Sequence, residues 1–369
     1  MKKILHIQVL PKLSGVQNIS YEILKGLPID EYEKFILFSS EGTTGDKEFL
    51  EKKFESIGVK VLYSDNLIRE LDTKKDFLAY KEIKALCKKE KFDIVHTNSS
   101  KPGVIGRIAA FTAGVPLVVH TVHGLAFHKF VKFPKWQFYY LCEMFASLFC
   151  HKIVLVNKFY ASYFRLFKRK VSTIYNAIDY KKFEGIQKCP KNDGKIRVLF
   201  VGRLDPPKNS LGLLRAAKLV IEQNSNVIFT LVGDGEFMPD CKKFIEDNNL
   251  KSNVVLAGWQ NNPGTFYAES DIFAASSIYE AFGLMFLEAG YFHLPICATN
   301  VEGVPEVVAD GVSGFLSEPN DDKSLAENLL KLCNDEKLRL KMGDESFKRA
   351  TEVFNIQNMV LGYRKVYEL

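Results

Sequence analysis

Along its whole length the chain alternates short apolar runs with longer segments whose apolar positions recur at three- and four-residue spacing. That rhythm leaves few folds open, because a run buried on both faces reads as a parallel strand and the segment after it as the crossover helix. After the amino-terminal run ending at Val9-Leu10, the runs Phe35–Phe38, Lys60–Tyr63, Phe92–Asn98, Pro116–Val119, Ile153–Asn157 and Val171–Asn176 read as strands of one sheet. A second series starts at Arg197–Gly202 and continues at Val227–Val232, Val254–Leu256, Asp271–Ala275 and Pro295–Ala298. Helices are read at about Gln17–Gly26 and Phe77–Glu90, and in the small-residue-rich stretch Gly103–Ala113. The expected fold class is α/β with two Rossmann-like domains. Residues 1–180 form the first, 181–195 a polar linker carrying Pro190, Asn192, Asp193 and Gly194, 196–353 the second, and 354–369 a final helix.

At 369 residues there is chain enough for two ordinary cores, and 47% hydrophobic with 25% charged residues is a globular balance. No apolar run reaches the length of a spanning helix. The start, Met1 to Val9, is interrupted by His6 and Gln8 and reads as a first buried strand rather than a leader. Seven cysteines without a Cys-x-x-Cys pair point to a reducing compartment and away from zinc.

The chemistry concentrates in Glu280-Ala-Phe-Gly-Leu-Met-Phe-Leu-Glu288. It follows a strand-like run and leads into a helix, so Phe282, Gly283 and Leu284 offer backbone N–H groups where open α/β sheets bind anions. Two carboxylates, Glu280 and Glu288, flank those amides. Upstream stand Gly202-Arg203-Leu204-Asp205-Pro206-Pro207-Lys208, Leu231-Val232-Gly233-Asp234-Gly235-Glu236 and Ala257-Gly258-Trp259-Gln260. Downstream stands Glu302-Gly303-Val304-Pro305-Glu306. In the first half, Ser14-Gly15-Val16-Gln17 turns from strand to helix, and Thr121-Val122-His123-Gly124 follows a buried run.

As an ordered set these motifs resemble the retaining, nucleotide-sugar-dependent glycosyltransferases of family 4, which have the GT-B fold, two domains with parallel sheets facing across a cleft. The resemblance spans nearly the whole chain. It implies that Arg203 and Lys208 hold the donor diphosphate, that Glu288 accepts from the ribose hydroxyls and that Glu280 faces the donor sugar. It further implies that Gly258, Trp259 and Gln260 hold the base, that Gly15 brings backbone N–H to the diphosphate, and that His123 contacts donor sugar and phosphate. Ser14 departs from the family, which usually has a second glycine there. His123, Glu280, Arg203 and Lys208 are the candidate catalytic groups. The physical demand is charge stabilisation on the leaving diphosphate, for which a planar guanidinium, a compact ammonium and helix-end amides suit. No Asp-x-Asp pair occurs, and neither a metal nor another cofactor is expected.

From Leu125 to Lys170 nine Lys or Arg face one acid, Glu143, so this segment carries +8 of a chain whose net charge is +6. With Phe127, Phe130, Phe133 and Trp136 set between Lys129, Lys132 and Lys135, it reads as a surface for an anionic membrane, with no nucleic-acid partner. Together with the His-Gly-x-x-Phe-His stretch 123–128, which resembles enzymes that extend lipid-linked oligosaccharides for bacterial surface polysaccharides (O-antigen, capsule), this leads to a specific expectation. The chain transfers a hexosyl or N-acetylhexosaminyl group, from a UDP sugar, to a polyprenyl-diphosphate-linked acceptor at the inner face of the cell membrane. A sugar-nucleotide 2-epimerase of the same architecture is the rival among enzymes. An inactive membrane- or nucleic-acid-binding module of the same fold is the rival outside them.

Overall fold

A computed structural model describes residues 1–12, 14–128, 131–189, 191 and 193–368. The chain divides into two compact units, 1–176 with 356–369, and 177–355.

The first unit is built on a seven-stranded parallel sheet in the order β3-β2-β1-β4-β5-β6-β7. In chain order its elements are β1 (Lys2–Ile7), α1 (Gly15–Lys25), β2 (Tyr32–Ser39), α2 (Thr44–Glu55), β3 (Val59–Ser64), α3 (Thr73–Glu90), β4 (Ile94–Asn98), α4 (Ser100–Thr112), β5 (Leu117–Val122), α5 (Lys135–Ala146), β6 (Lys152–Leu155) and β7 (Val171–Thr173). The small residues of α4 are explained by contact with the sheet. A Cβ on Gly103 would stand 2.4 Å from the His120 ring, and one on Gly106 would stand 2.8 Å from Thr97 Cγ2. Side chains tie the same helix to its neighbour, since Arg107 on α4 is fully buried and forks onto Glu143 on α5, Nη1–Oε1 2.7 Å and Nη2–Oε2 2.9 Å.

The second unit carries a six-stranded parallel sheet in the order β10-β9-β8-β11-β12-β13. It runs β8 (Ile196–Val201), α6 (Ser210–Gln223), β9 (Val227–Val232), α7 (Met238–Asp247), β10 (Val254–Gly258), α8 (Gly264–Ala268), β11 (Ile272–Ala275), α9 (Leu284–Tyr291), β12 (Ile296–Thr299), α10 (Val304–Val307), β13 (Gly314–Ser317), α11 (Asp322–Asn334) and α12 (Glu336–Lys348). The sequence reading found five of these six strands. The sixth, β13, is four residues long and opens on a glycine whose added Cβ would fall 1.9 Å from the Ile296 carbonyl, so it lacks the β-branched run that marks the others.

The last helix, α13 (Ile356–Tyr367), belongs to the first unit. Its Tyr367 hydroxyl meets His96 Nδ1 at 2.5 Å and His6 Nε2 at 3.2 Å, and its Tyr363 hydroxyl meets Thr121 Oγ1 at 3.2 Å. The segment read as a linker is in part packed structure. Tyr180 stacks on Tyr291 with ring centroids 4.5 Å apart, and Phe183 is buried against Tyr291 and Phe292. Polarity misled here, because the buried ring of Phe183 anchors a segment rich in lysine, just after the half-buried Tyr180. Pro190 and Asn192 lie outside the described residues.

Candidate active site

In the second unit every motif singled out in the sequence lies at the carboxyl end of a strand, and backbone bonds stitch those loops together. Gly202 N–H donates to Val232 O (3.0 Å), Leu204 N–H to Asp234 O (2.9 Å), Phe237 N–H to Leu204 O (2.9 Å) and Gly233 N–H to Gly258 O (2.8 Å). The approach is too close for a side chain. Gly233 has φ 142° and an added Cβ would lie 1.9 Å from the Gly202 carbonyl oxygen, while one on Gly235 would lie 2.4 Å from that of Leu204. Between these anchors Arg203 extends outward, its side chain 66% exposed, with Nη2 2.9 Å from Asp205 Oδ2.

The loop after β8 is bound in turn to the loop after β11. Ile278 N–H donates to Pro207 O (2.9 Å), and the Ser276 hydroxyl donates to Asn209 O (2.7 Å). This brings the Lys208 ammonium onto Glu280 Oε2, in an ion pair whose side chains are 16% and 13% exposed. The other Glu280 oxygen accepts from Phe282 N–H at 3.4 Å. Gly283 takes a left-handed φ of 82° and caps the start of α9, so the chain turns sharply enough to set Glu280 and the first turn of α9 side by side. Lys208 and Glu280, read as separate ligands of diphosphate and sugar, thus hold each other.

Glu288 sits one turn into α9, and its two oxygens have different partners. Oε2 accepts from the Tyr267 hydroxyl (2.7 Å) and Oε1 from the Lys182 ammonium (2.5 Å). Tyr267 is fully buried between the Phe273 and Phe292 rings, and burial first, with the Glu288 charge second, holds its phenol well above the ordinary range. It is therefore a permanent donor that fixes the carboxylate, while Lys182, 45% exposed, is a displaceable cap. Spacing could not have found either residue, since Tyr267 meets Glu288 only through the packing of α8 on α9. Trp259 is 63% exposed, with its Nε1 donating to Asn261 Oδ1 at 3.3 Å, and so is no core residue; its ring offers a flat apolar face beside Gly258. Gln260 folds back onto Ala257 O at 2.8 Å. Glu306 lies in α10, the short helix that starts beside Pro305.

In the first unit, Gly15 opens α1 in helical conformation rather than at positive φ, and Gln17 pins the turn by donating to Leu10 O at 3.0 Å. His123 lies just past β5. Its Nε2 is 3.0 Å from Asn98 Oδ1, which can only accept, so Nε2 carries the proton and Nδ1 is left as an acceptor. Burial pushes this imidazole down to about 4. Asn98 was missed as a partner; it ends β4 in register with Thr121 of β5, two residues before His123.

Two family models match the chain, "Glycosyltransferase Family 4" over residues 13–182 and "Glycosyl transferases group 1" over 181–349. A UDP-Gal:alpha-D-GlcNAc-diphosphoundecaprenol alpha-1,3-galactosyltransferase of Escherichia coli is 35% identical over 99% of this chain and 96% of its own length. The chain belongs to glycosyltransferase family 4. The transferase is also 31% identical to the capsular polysaccharide biosynthesis glycosyltransferase CapM of Staphylococcus aureus, over 85% of the chain and 90% of that protein. Among solved structures, Anabaena HepE in complex with UDP and glucose aligns over 100% of both chains with a TM-score of 0.83 at 20% identity, which establishes the shared GT-B fold. As a member of this family the transferase draws its sugar from a nucleotide sugar.

Proposed function

We propose that the transferase moves a hexosyl or N-acetylhexosaminyl group from a UDP sugar to a sugar carried on a polyprenyl diphosphate, with retention at the anomeric carbon and without a metal ion. The observation that carries the donor half is the gathering of Arg203, Lys208, Glu280 and the start of α9 at the carboxyl ends of the two central strands, β8 and β11, of the six-stranded sheet. As the glycosidic bond to the diphosphate breaks, negative charge grows on the leaving oxygens. A unit charge at about 4 Å stabilises it by on the order of 4 kcal/mol at an effective dielectric of 20. In this reading the diphosphate draws Lys208 from Glu280, which frees that carboxylate for the donor hydroxyls. Glu288, held by Tyr267, turns its remaining lone pairs to the ribose as Lys182 withdraws. Trp259 stacks on the base. Neutral His123 presents Nδ1 as an acceptor to a donor-sugar hydroxyl, and the leaving diphosphate takes the acceptor proton from the same face. The acceptor half rests on the lipid-linked substrate in the name of the 35%-identical Escherichia coli relative.

Peripheral binding to the inner face of the cell membrane belongs to the same proposal. No helix among the described residues is long and apolar enough to cross a bilayer. On α5 and just beyond it, Phe138, Leu141, Phe145 and Leu148 are exposed at helical spacing, with Phe133 80% exposed at the head of the helix and Lys132 and Lys135 beside it. Glu143, the segment's one acid, is buried on Arg107, so it offsets none of this surface charge. Phe127, expected among the surface rings, is instead buried against Trp136, Tyr140 and Tyr163, and Lys129 and Phe130 lie outside the described residues.

The test is a thermal-shift screen of nucleotide sugars followed by NMR of the product formed with the best donor. UDP sugars raise the melting temperature and the product keeps the donor's anomeric configuration in the presence of a chelator. An inverted product, or activity lost to chelation and restored by manganese, overturns the mechanism, and inversion of the donor at C2 without transfer establishes the epimerase instead.

A further inference from the structure

Asn98 closes β4 opposite Thr121 of β5, and the chain beyond Thr121 reaches His123 two residues later. This register sets the Asn98 amide beside the His123 ring, with Oδ1 3.0 Å from Nε2. Asn98 is fully buried, and its other polar atom, Nδ2, has no hydrogen-bond partner. Buried donors are seldom left unmet in a folded core, so the fold uses only half of this amide. Directly after it Ser99 takes φ 66° and ψ 166°, a positive-φ conformation that favours glycine, and its side chain makes no capping bond to α4. Backbone strain of this kind persists where the surroundings impose it, and it gathers at active sites.

The other buried imidazoles of the unit are spoken for. His6 lies between Ser20 Oγ (3.1 Å) and the Tyr367 hydroxyl (3.2 Å), and His96 between that hydroxyl (2.5 Å) and Thr121 Oγ1 (2.7 Å). His120 meets Thr97 Oγ1 at 2.9 Å and faces Glu143 Oε1 at 3.8 Å. Among the described residues, His123 bonds through Nε2 alone, so the Asn98 carbonyl decides which of its nitrogens carries the proton.

We infer that Asn98 positions His123 for the transfer reaction: its carbonyl locks the ring in the Nε2–H tautomer, which keeps Nδ1 an acceptor, and its unmet Nδ2 donates to a second oxygen of the same nucleotide sugar. The inference rests on the proposal that His123 accepts from a hydroxyl of the donor sugar. A ring free to shift its proton would spend part of its time as a donor at Nδ1, unable to accept there. An amide oxygen, which can only accept, excludes that form. A neutral N–H beside it suits a hydroxyl or phosphate oxygen and adds no charge that would protonate the imidazole.

Asn98→Asp separates the two roles. The carboxylate still accepts from Nε2, but its charge favours the imidazolium and raises the His123 pKa from about 4. Protonated on both nitrogens, the ring cannot accept at Nδ1 until the pH passes the new pKa. The titratable groups around it stay silent meanwhile. Burial keeps His6 of β1, His96 of β4 and His120 of β5 uncharged and the Tyr363 and Tyr367 phenols of α13 protonated, and Glu143 of α5 is forked on Arg107 of α4.

Wild-type kcat/KM is expected to be level between about pH 6 and pH 8.5. That of Asn98→Asp falls at least tenfold from the upper to the lower pH, and at the upper it stays at least threefold below wild type for want of Nδ2. Nitrogen-15 spectra of histidine-labelled wild type, assigned by comparison with His123→Gln, place the proton of that ring on Nε2. A proton on Nδ1, or an Asn98→Asp profile parallel to wild type, overturns the inference and leaves the transferase standing. An Asn98→Asp plateau equal to wild type strikes out the Nδ2 contact. His123→Gln with a wild-type kcat/KM overturns the reading of His123 and this inference with it. If Asn98→Asp does not fold, as judged by its melting curve, the tautomer measured on wild type decides alone.

Discussion

Arg203 and Gly233 show two ways in which one residue matters. Arg203 is held by backbone on both sides and projects a guanidinium with a single carboxylate partner, so its loss leaves the loop intact and removes only charge and donors. Arg203→Ala is expected to lower kcat/KM about 10- to 150-fold, the 1.5–3 kcal/mol of a hydrogen bond to a charged group, with an unchanged melting temperature. Arg203→Lys recovers only part, because an ammonium lacks the planar fork; a wild-type rate in Arg203→Ala removes it from the site. Gly233→Ala acts on the fold instead. A methyl 1.9 Å from the Gly202 carbonyl forces the two loops apart, and we expect at least about 2 kcal/mol of lost stability in denaturant titrations. The glycines were legible as a motif. Their cause was not, since it is a carbonyl of another strand's loop.

At the scale of elements, the pairing of α4 with α5 turns on the buried Arg107–Glu143 ion pair. A bidentate buried pair is costly to break from one side, because the partner's charge is stranded in a low-dielectric site. Glu143→Ala is expected to destabilise the protein by about 3–5 kcal/mol, and the double variant Arg107→Leu/Glu143→Leu to regain most of that. Equal losses in single and double variants would falsify the view that stranded charge, rather than lost packing, is the cause. Since α5 carries the exposed apolar row, this pair also sets where that row lies on the first unit. Glu143 stood out in the sequence only as the one acid in a basic segment, and nothing there pointed to Arg107.

The molecule as a whole is expected to be sensitive to acid through the first unit. Burial lowers His6 to about 3 and His123 to about 4, and holds His96 and His120 well below the ordinary range; Arg107 adds to the effect on His120. The folded chain therefore keeps these four rings neutral where the unfolded chain, titrating near 6.5, takes up protons. Their contribution to stability is complete above about pH 6.5 and is lost as pH falls toward 4, at up to roughly 1.4 kcal/mol per pH unit for each ring. Between pH 6.5 and 5, before carboxylates titrate strongly, the melting temperature should drop steeply, and His120→Gln should flatten the slope. A flat profile contradicts neutral burial. Because His6 and His96 grip Tyr367, acid should free α13 from its seat, visible as faster amide exchange in 356–367.

The α/β class, the two domains, the family and the positions of most strands were legible in the residues alone, because burial on both faces leaves a continuous apolar run that needs no partner to be recognised. The sequence also marked Arg203 and Lys208 as candidate cations for an anion at a strand end, and the carboxylates Glu280 and Glu288 as candidate acceptors for hydroxyls beside them. Packing alone makes Lys208 and Glu280 hold each other, sets Tyr267 on Glu288, and turns Phe127 inward while Phe138 turns out. These depend on which loops and helix faces meet, and contacts between residues 21 to 72 positions apart leave no periodic trace along the chain.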